Sequence, residues 1–242
     1  MNLSIVIPVF NESKNIFDLL HELDKTKRKE DIYEAVIVDD GSTDDTTNYV
    51  HKAANEVTFD CQLLNSSSNN GQSTALCMGV KNASFEWVVT MDGDLQNNSS
   101  DIIRLLTLFE SSYKGNNNIL IAGCRTKRFD SPIKIYTSRV ANYIRQGILK
   151  DNCIDSGCAL RLFNRDYFLQ LPLFNHMHRF LPALYKMSGG ECDFVSIDHR
   201  PRTCGQSKYG TLDRLSAGVW DLLGVYWLRS RLITKDLYED IK

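Results

Sequence analysis

Apolar residues in the first half of this chain form short, nearly continuous runs alternating with more widely spaced stripes. Leu3 to Val9 is a β-branched run closed by Pro8 and Asn11, the pattern of a strand buried on both faces. From Ser13 to Leu23, the residues Ile16, Leu19, Leu20 and Leu23 recur at helical spacing. Ala35-Val36-Ile37-Val38 predicts a second strand ending at Asp39-Asp40-Gly41-Ser42, and Thr43 or Asp44 is placed to cap the next helix. Cys61 to Leu64 predicts a third strand, Gly71 to Val80 a helix and Glu86 to Met91 a fourth strand. Ile102, Leu105, Leu106 and Phe109 stripe another helix, and Asn118 to Ala122 is the next strand. This alternation implies an α/β domain built on a mostly parallel, doubly wound sheet.

After Gly123 the rhythm changes. Arg125 to Lys150 is basic, with Arg125, Lys127, Arg128, Lys134, Arg139 and Arg145. There follow Asp155-Ser156-Gly157-Cys158, a strand through Leu162, a helix around His178 to Met187, a strand from Phe194 to Ile197, and a polar loop from His199 to Gly210. Leu212 to Leu228 repeats apolar residues at Leu212, Leu215, Val219, Leu222, Leu223 and Tyr226, with Trp220 and Trp227 on a neighbouring stripe. Three readings suit it: a helix packed on the domain, a homo-oligomer contact, or a helix lying in a membrane surface with its tryptophans at headgroup depth. With no repeat or linker, the chain reads as one domain over 1–231 and a polar tail over 232–242.

At 242 residues, 43% hydrophobic and 24% charged, the composition is that of an ordinary globular domain. A formal charge of −2 gives no footprint for nucleic acid. Seven cysteines without regular spacing point to reduced thiols and a cytosolic setting, and no Cys/His grouping suggests zinc. The N-terminus enters a strand without the features of a signal peptide, and no run approaches the ~18 apolar residues of a membrane span.

The chemistry-bearing residues gather at strand ends: Asn11-Glu12 after the first, Asp39-Asp40 at the second, Asp92-Gly93-Asp94 after the fourth. In a parallel sheet these ends share one edge, where such folds bind ligands. A carboxylate such as Asp40 can accept hydrogen bonds from a nucleobase or ribose. Asp92 and Asp94, one residue apart, suit a hard divalent cation whose other positions go to water and phosphate. Neutralising a leaving diphosphate is the electrostatic task in sugar transfer from a nucleotide.

Ile5-Val6-Ile7-Pro8-Val9-Phe10-Asn11-Glu12, Val38-Asp39-Asp40-Gly41-Ser42-Thr43-Asp44 and Met91-Asp92-Gly93-Asp94-Leu95-Gln96 together resemble the signature of family-two glycosyltransferases with the GT-A fold. Within them, the chain looks most like the dolichol-phosphate-mannose-synthase branch, which loads sugars onto polyprenyl phosphates; the likeness runs from about Leu3 to about Arg231. The resemblance implies a donor half over about 1–123 and an acceptor half over about 124–231. It implies that Pro8, Asn11, Glu12, Asp40 and Asp92 line the nucleotide site, and that Asp92 and Asp94 hold Mg²⁺ or Mn²⁺ with Gln96 as a further ligand. Arg125, Ser138 and Arg139 match the acceptor-phosphate region, while Arg202, Ser207 and Lys208 would close over the diphosphate. The implied reaction is an inverting direct displacement. The implied partners are a GDP- or UDP-sugar and a polyprenyl phosphate, at the inner membrane face. The family often has two prolines after Asp-Leu-Gln where this chain has Asn97-Asn98-Ser99-Ser100, and many relatives continue past the position of Lys242 into membrane-spanning helices.

The acceptor decides the mechanism. A phosphate is already anionic and needs arginines to orient it, whereas a sugar hydroxyl needs a base, for which Asp155 is the candidate. The basic run from Arg125 to Arg145 favours phosphate. The rival readings are a saccharide-hydroxyl acceptor, a nucleotidyltransferase and a non-catalytic nucleotide-sugar binding module. A nucleotidyltransferase should have a Gly-rich basic loop after the first strand, where this chain has Asn11-Glu12-Ser13-Lys14.

Overall fold

The computed structural model describes residues 1–125, 142–201 and 211–232, excepting the side chains of 211–217. Seven strands form one sheet: β1 (Asn2–Val9), β2 (Ile32–Asp39), β3 (Asp60–Asn65), β4 (Trp87–Thr90), β5 (Ile119–Arg125), β6 (Arg161–Asn164) and β7 (Glu191–Ile197). Their spatial order is β3-β2-β1-β4-β6-β5-β7. All neighbours run parallel except around β6, which is antiparallel to both β4 and β5.

Helices cover both faces. α1 (Ile16–Thr26), α2 (Thr46–Ala54) and α4 (Asp101–Leu108) bury Ile16, Leu19, Leu20, Leu23, Val50, Ala53, Ile102, Leu105 and Leu106 against Leu3, Ile5, Ile7 and Val9. The opposite face of β1 gives Val6 to a second core, with Ala75, Leu76 and Val80 of α3 (Gln72–Asn82). That core continues into α6 (Arg165–Phe168), α7 (Leu181–Met187) and α8 (Thr211–Arg229), with a further helix, α5, over 142–149. The first crossovers lay β2 and β3 to one side of β1. The next, through α3 on the other face, lays β4 on its other side. That reversal opens a crevice beyond the carboxyl ends of β1 and β4, the ligand position of doubly wound sheets.

All seven predicted strands form; β1, β3 and β4 lie within a residue of their predicted bounds, whereas β2 and β7 begin three residues earlier and β5 ends three residues later. The strand expected through Leu162 instead runs Arg161–Asn164, and the helix around His178 splits into a 3₁₀ turn at Met177–Arg179 followed by α7. Two residues of the basic run are held in ion pairs. Arg145 is buried in an ion pair with Asp151 and also donates to the Cys153 carbonyl at 2.6 Å. Arg125 is paired with Asp155.

α8 also differs from its predicted stripe. Val225 is buried, Leu222 and Leu228 pack partly against the core, and Asp221 pairs with His176. Val219, Leu223 and Tyr226 of that stripe are exposed, together with Trp220 (74%) and Trp227 (61%). These five lie on one side of the helix, so α8 has one apolar face inward and a second outward. Among the described residues no helix is long and apolar enough to cross a membrane.

Candidate active site

The β1 and β2 ends are laced into one unit. Asn11 takes a left-handed conformation (φ 55°), donates its N–H to Ser42 Oγ at 2.8 Å and accepts from Thr43 N–H through Oδ1 at 2.7 Å. Glu12 N–H donates to Thr46 Oγ1 at 2.9 Å, and the buried Glu12 carboxylate accepts from Asn15 Nδ2 at 2.7 Å. Asp39 closes its own turn, accepting from Ser42 N–H at 2.8 Å and Thr47 Oγ1 at 2.9 Å. Asp44 accepts from Thr46 N–H at 3.1 Å at the start of α2, as the sequence anticipated. Pro8 sits half-buried in register with Val38, its ring lacking the N–H that an inner strand normally pairs.

Asp40 does something the sequence did not signal. Its two carboxylate oxygens accept the N–H groups of Asn70 and Gly71, each at 2.8 Å, and so pull the loop after β3 over the crevice. Gly41 (φ 78°) lies under that loop: a Cβ there would stand 2.7 Å from the Ser68 carbonyl carbon. Asp40 is thus already bonded to backbone. It borders the crevice as the shaper of its wall.

Anchoring of that loop sets Gln72, the first residue of α3, to donate from Nε2 to Asp92 Oδ1 at 2.8 Å. Gly93, between the two carboxylates, has no room for a side chain, since a Cβ would come 2.7 Å from Val9 Cγ1. Asp94 is buried and Asp92 half-buried. Burial first, and then the neighbouring Asp94 charge, push the Asp92 carboxyl well above the usual carboxylate range, while Arg161 and Arg125 oppose the rise. A carboxylate pair that resists full ionisation is relieved by a cation, and oxygen donors of this kind suit Mg²⁺ or Mn²⁺. Among the described residues there is no three-ligand cage. The pair therefore fits a metal whose remaining positions come from substrate phosphate and water. Gln96 Nε2 donates to the Arg200 carbonyl at 3.4 Å, and the Gln96 backbone carbonyl accepts from Arg200 N–H at 3.0 Å. Arg200 in turn pairs with Glu22 at 2.6 Å, tying the acidic loop to α1.

On the acceptor side, Arg125 ends β5 and forks onto Asp155, Nε to Oδ2 at 2.6 Å and Nη2 to Oδ1 at 2.7 Å. Burial acts against the Arg125 charge, but the bonds to Asp155 more than compensate and raise its pKa. Arg161, fully inside, donates from Nη1 to the His178 carbonyl at 2.6 Å and from Nη2 to the Ser156 carbonyl at 3.0 Å. His178 meets Ser73 Oγ through Nδ1 at 2.8 Å, and burial, then Arg161 and Arg179, push its pKa down to about 3. His178 is therefore a neutral packing residue joining the 175–179 segment to α3. Ser138, Arg139, Arg202, Ser207 and Lys208 lie outside the described residues, as do Lys127, Arg128 and Lys134.

The sequence reading missed Gln72, Ser73 and Arg161. Gln72 and Ser73 carried a faint signal in Gly71, whose φ of 90° marks a sharp helix entry beside the Asn-rich loop.

The sequence model for glycosyl transferase family 2 matches residues 4–171, which include all three strand-end motifs. The chain belongs to glycosyl transferase family 2. Two relatives sharpen the place within this family. The undecaprenyl-phosphate 4-deoxy-4-formamido-L-arabinose transferase of Pseudomonas syringae pv. syringae is 32% identical over 91% of this chain and 64% of its own length. The dodecaprenyl-phosphate galacturonate synthase of Rhizobium johnstonii is 30% identical over 93% of this chain and 66% of its own. The chain thus spans just under two thirds of these relatives. Among solved structures, glucosyl-3-phosphoglycerate synthase of Mycobacterium tuberculosis, in complex with Mn²⁺, UDP and glucosyl-3-phosphoglycerate, superposes with a TM-score of 0.66. It is 15% identical, over 96% of this chain and 81% of that one, and so speaks for the fold alone. The GT-A fold expected from the motifs is the fold of this family-two member.

Proposed function

We propose that this protein transfers a sugar from a nucleoside-diphosphate donor to a polyprenyl phosphate. The observation that carries this reading is the bidentate Arg125–Asp155 pair, whose arginine charge is felt at Asp92. Asp155, the candidate base for a hydroxyl acceptor, spends both oxygens on Arg125. A phosphate needs no base, because it attacks as an anion. Two relatives whose acceptors are polyprenyl phosphates support the same choice.

On this reading Pro8, Asn11, Glu12 and Asp40 shape the nucleotide pocket, and Asp92 and Asp94 hold Mg²⁺ or Mn²⁺ against the diphosphate. A divalent cation there would neutralise charge developing on the leaving nucleoside diphosphate. The chain's own residues do the positioning. Asp155 holds the Arg125 fork, whose Nη1 edge is the part left for an acceptor oxygen. By the family resemblance, Ser138 and Arg139 would serve the acceptor phosphate, and Arg202, Ser207 and Lys208 the diphosphate. The phosphate oxygen then attacks the anomeric carbon as the nucleoside diphosphate leaves from the opposite side.

The acceptor's lipid chain needs a membrane, and the outward aromatic face of α8 suits a bilayer surface on the cytosolic side. The deciding experiment offers a panel of nucleotide sugars with Mn²⁺ to the protein, with undecaprenyl phosphate or saccharides as acceptor. Radiolabelled sugar in the lipid phase is expected. Transfer to saccharide hydroxyls with none to the lipid phosphate would reverse the assignment.

A further inference from the structure

Arg161 is a buried cation with no carboxylate of its own. It opens β6 opposite Thr90, two residues before Asp92, and is only 4% exposed. Its guanidinium is gripped by two carbonyls, those of His178 and Ser156. Among the described residues no carboxylate pairs with it, whereas Arg125 has Asp155 and Arg145 has Asp151. A buried, unpaired charge is costly to fold, so its retention calls for a charge that it serves. Asp92 and Asp155 are the carboxylates whose fields reach it, and Arg125 already neutralises Asp155.

We propose that Arg161 is a positioning residue that makes metal binding depend on the donor: its fixed charge offsets part of the Asp92/Asp94 pair, so that a divalent cation settles there only together with a diphosphate. The proposal rests on the reading of Asp92 and Asp94 as metal ligands. Two carboxylates alone would neutralise a divalent cation. Glu12 adds a third carboxylate whose field reaches Asp92, and the Arg161 charge cancels part of the acids' pull, so a lone cation is held less tightly than the acids alone would hold it and a diphosphate makes up the difference. The two carbonyl bonds explain why the charge stays put. His178 is fixed to Ser73 at the start of α3, and Ser156 adjoins Asp155, so the guanidinium is pinned between donor and acceptor sides. The consequence is that metal arrives with the nucleotide sugar and departs with the nucleoside diphosphate.

The test is Mn²⁺ binding to the full chain, read from the free-Mn²⁺ paramagnetic resonance signal, with and without UDP or GDP. From Coulomb's law at short range, Arg161→Gln should tighten binding of Mn²⁺ alone by about tenfold or more while weakening the nucleoside diphosphate. Arg161→Lys, which keeps the charge, should return both affinities toward wild type. A merely structural role would weaken both ligands, so Arg161→Gln losing Mn²⁺ in both conditions overturns the proposal, as does Arg161→Lys behaving like Arg161→Gln. Wild-type protein that binds Mn²⁺ equally well with and without nucleotide overturns it without any variant. Asp94→Asn distinguishes the underlying reading: if it binds Mn²⁺ like wild type, the metal-ligand assignment fails and takes the proposal with it.

Discussion

The donor and acceptor halves of the crevice satisfy their charges in opposite ways. On the donor side, carboxylates are met by backbone N–H groups and short hydroxyls: Asp39 by Ser42 and Thr47, Asp40 by Asn70 and Gly71, Asp44 by Thr46. On the acceptor side, arginines are met by carboxylates and carbonyls: Arg125 by Asp155, Arg145 by Asp151 and Cys153, Arg161 by His178 and Ser156. The first arrangement makes rigid turns around a place for negative ligands and their cation. The second stores positive charge behind the surface, where it acts at a distance. On the proposed function, a nucleoside diphosphate leaving one side and an anionic acceptor entering from the other would call for these two kinds of wall.

The sharpest way to break the contrast is to remove its metal end. Asp94→Asn should lower transfer by about a thousandfold, the scale of losing a main electrostatic contact to the leaving group, with the melting temperature little changed. Steady-state kinetics over a Mn²⁺ series checks it, and activity within threefold of wild type would sink the assignment.

Next comes the acceptor wall. Asp155→Asn leaves the Arg125 charge without its partner, and breaking a buried pair costs about 3–5 kcal/mol, readable in urea unfolding. Arg125→Met/Asp155→Leu should recover most of that stability without recovering transfer. Recovery of both would show that the pair has only a structural task.

Asp40→Asn probes the donor wall. Asparagine can accept only one of the two loop amides, leaving a buried donor unmet at a cost of about 1–3 kcal/mol. The donor KM should rise more than kcat falls, because the 70–71 loop forms the pocket rather than the reacting centre. An unchanged KM would separate that loop from the donor.

His178 supplies a pH test. Its folded pKa of about 3 lies below the unfolded value near 6.5. Between those values the unfolded chain binds the extra proton, so stability falls as the pH drops through this window. The loss reaches roughly 2–4 kcal/mol at the acid end. His178→Asn should flatten the melting-temperature curve between pH 6.5 and 4. A slope identical to wild type would mean that His178 is not held neutral.

The smallest effect is expected at α8. Trp220→Ala/Trp227→Ala should leave the fold and the activity on a soluble acceptor unchanged while reducing binding to anionic liposomes. Sedimentation with vesicles that did not differ between the variant and wild type would end the membrane reading.

Legibility in the sequence follows the same divide. The donor wall was visible because its partners are neighbours or lie in adjacent strand-end motifs: Asn11 with Ser42 and Thr43, or Asp39 with its own turn. The acceptor wall was visible only as a basic run. Arg125 reaches Asp155 thirty residues on, and Arg161 reaches forward to His178, so spacing along the chain holds no trace of either contact. α8 was left open for a related reason. Its apolar residues form two faces, and periodicity alone does not say which one meets the core.

By itself, then, the sequence determined the alternating α/β plan, the strand ends that bear the chemistry and the acidic pair at their centre. These rest on local forces: burial period, turn geometry, and carboxylates close to the amides that hold them. Only the tertiary structure decided the strand order with its antiparallel β6, the use of Asp40 as a loop anchor, and the pairing that occupies Asp155. It alone also decided that Arg161 pairs opposite Thr90, two residues before Asp92. Each of these depends on bringing distant segments together across a sheet, and the cost of burying a charge is settled only once every neighbour is in place.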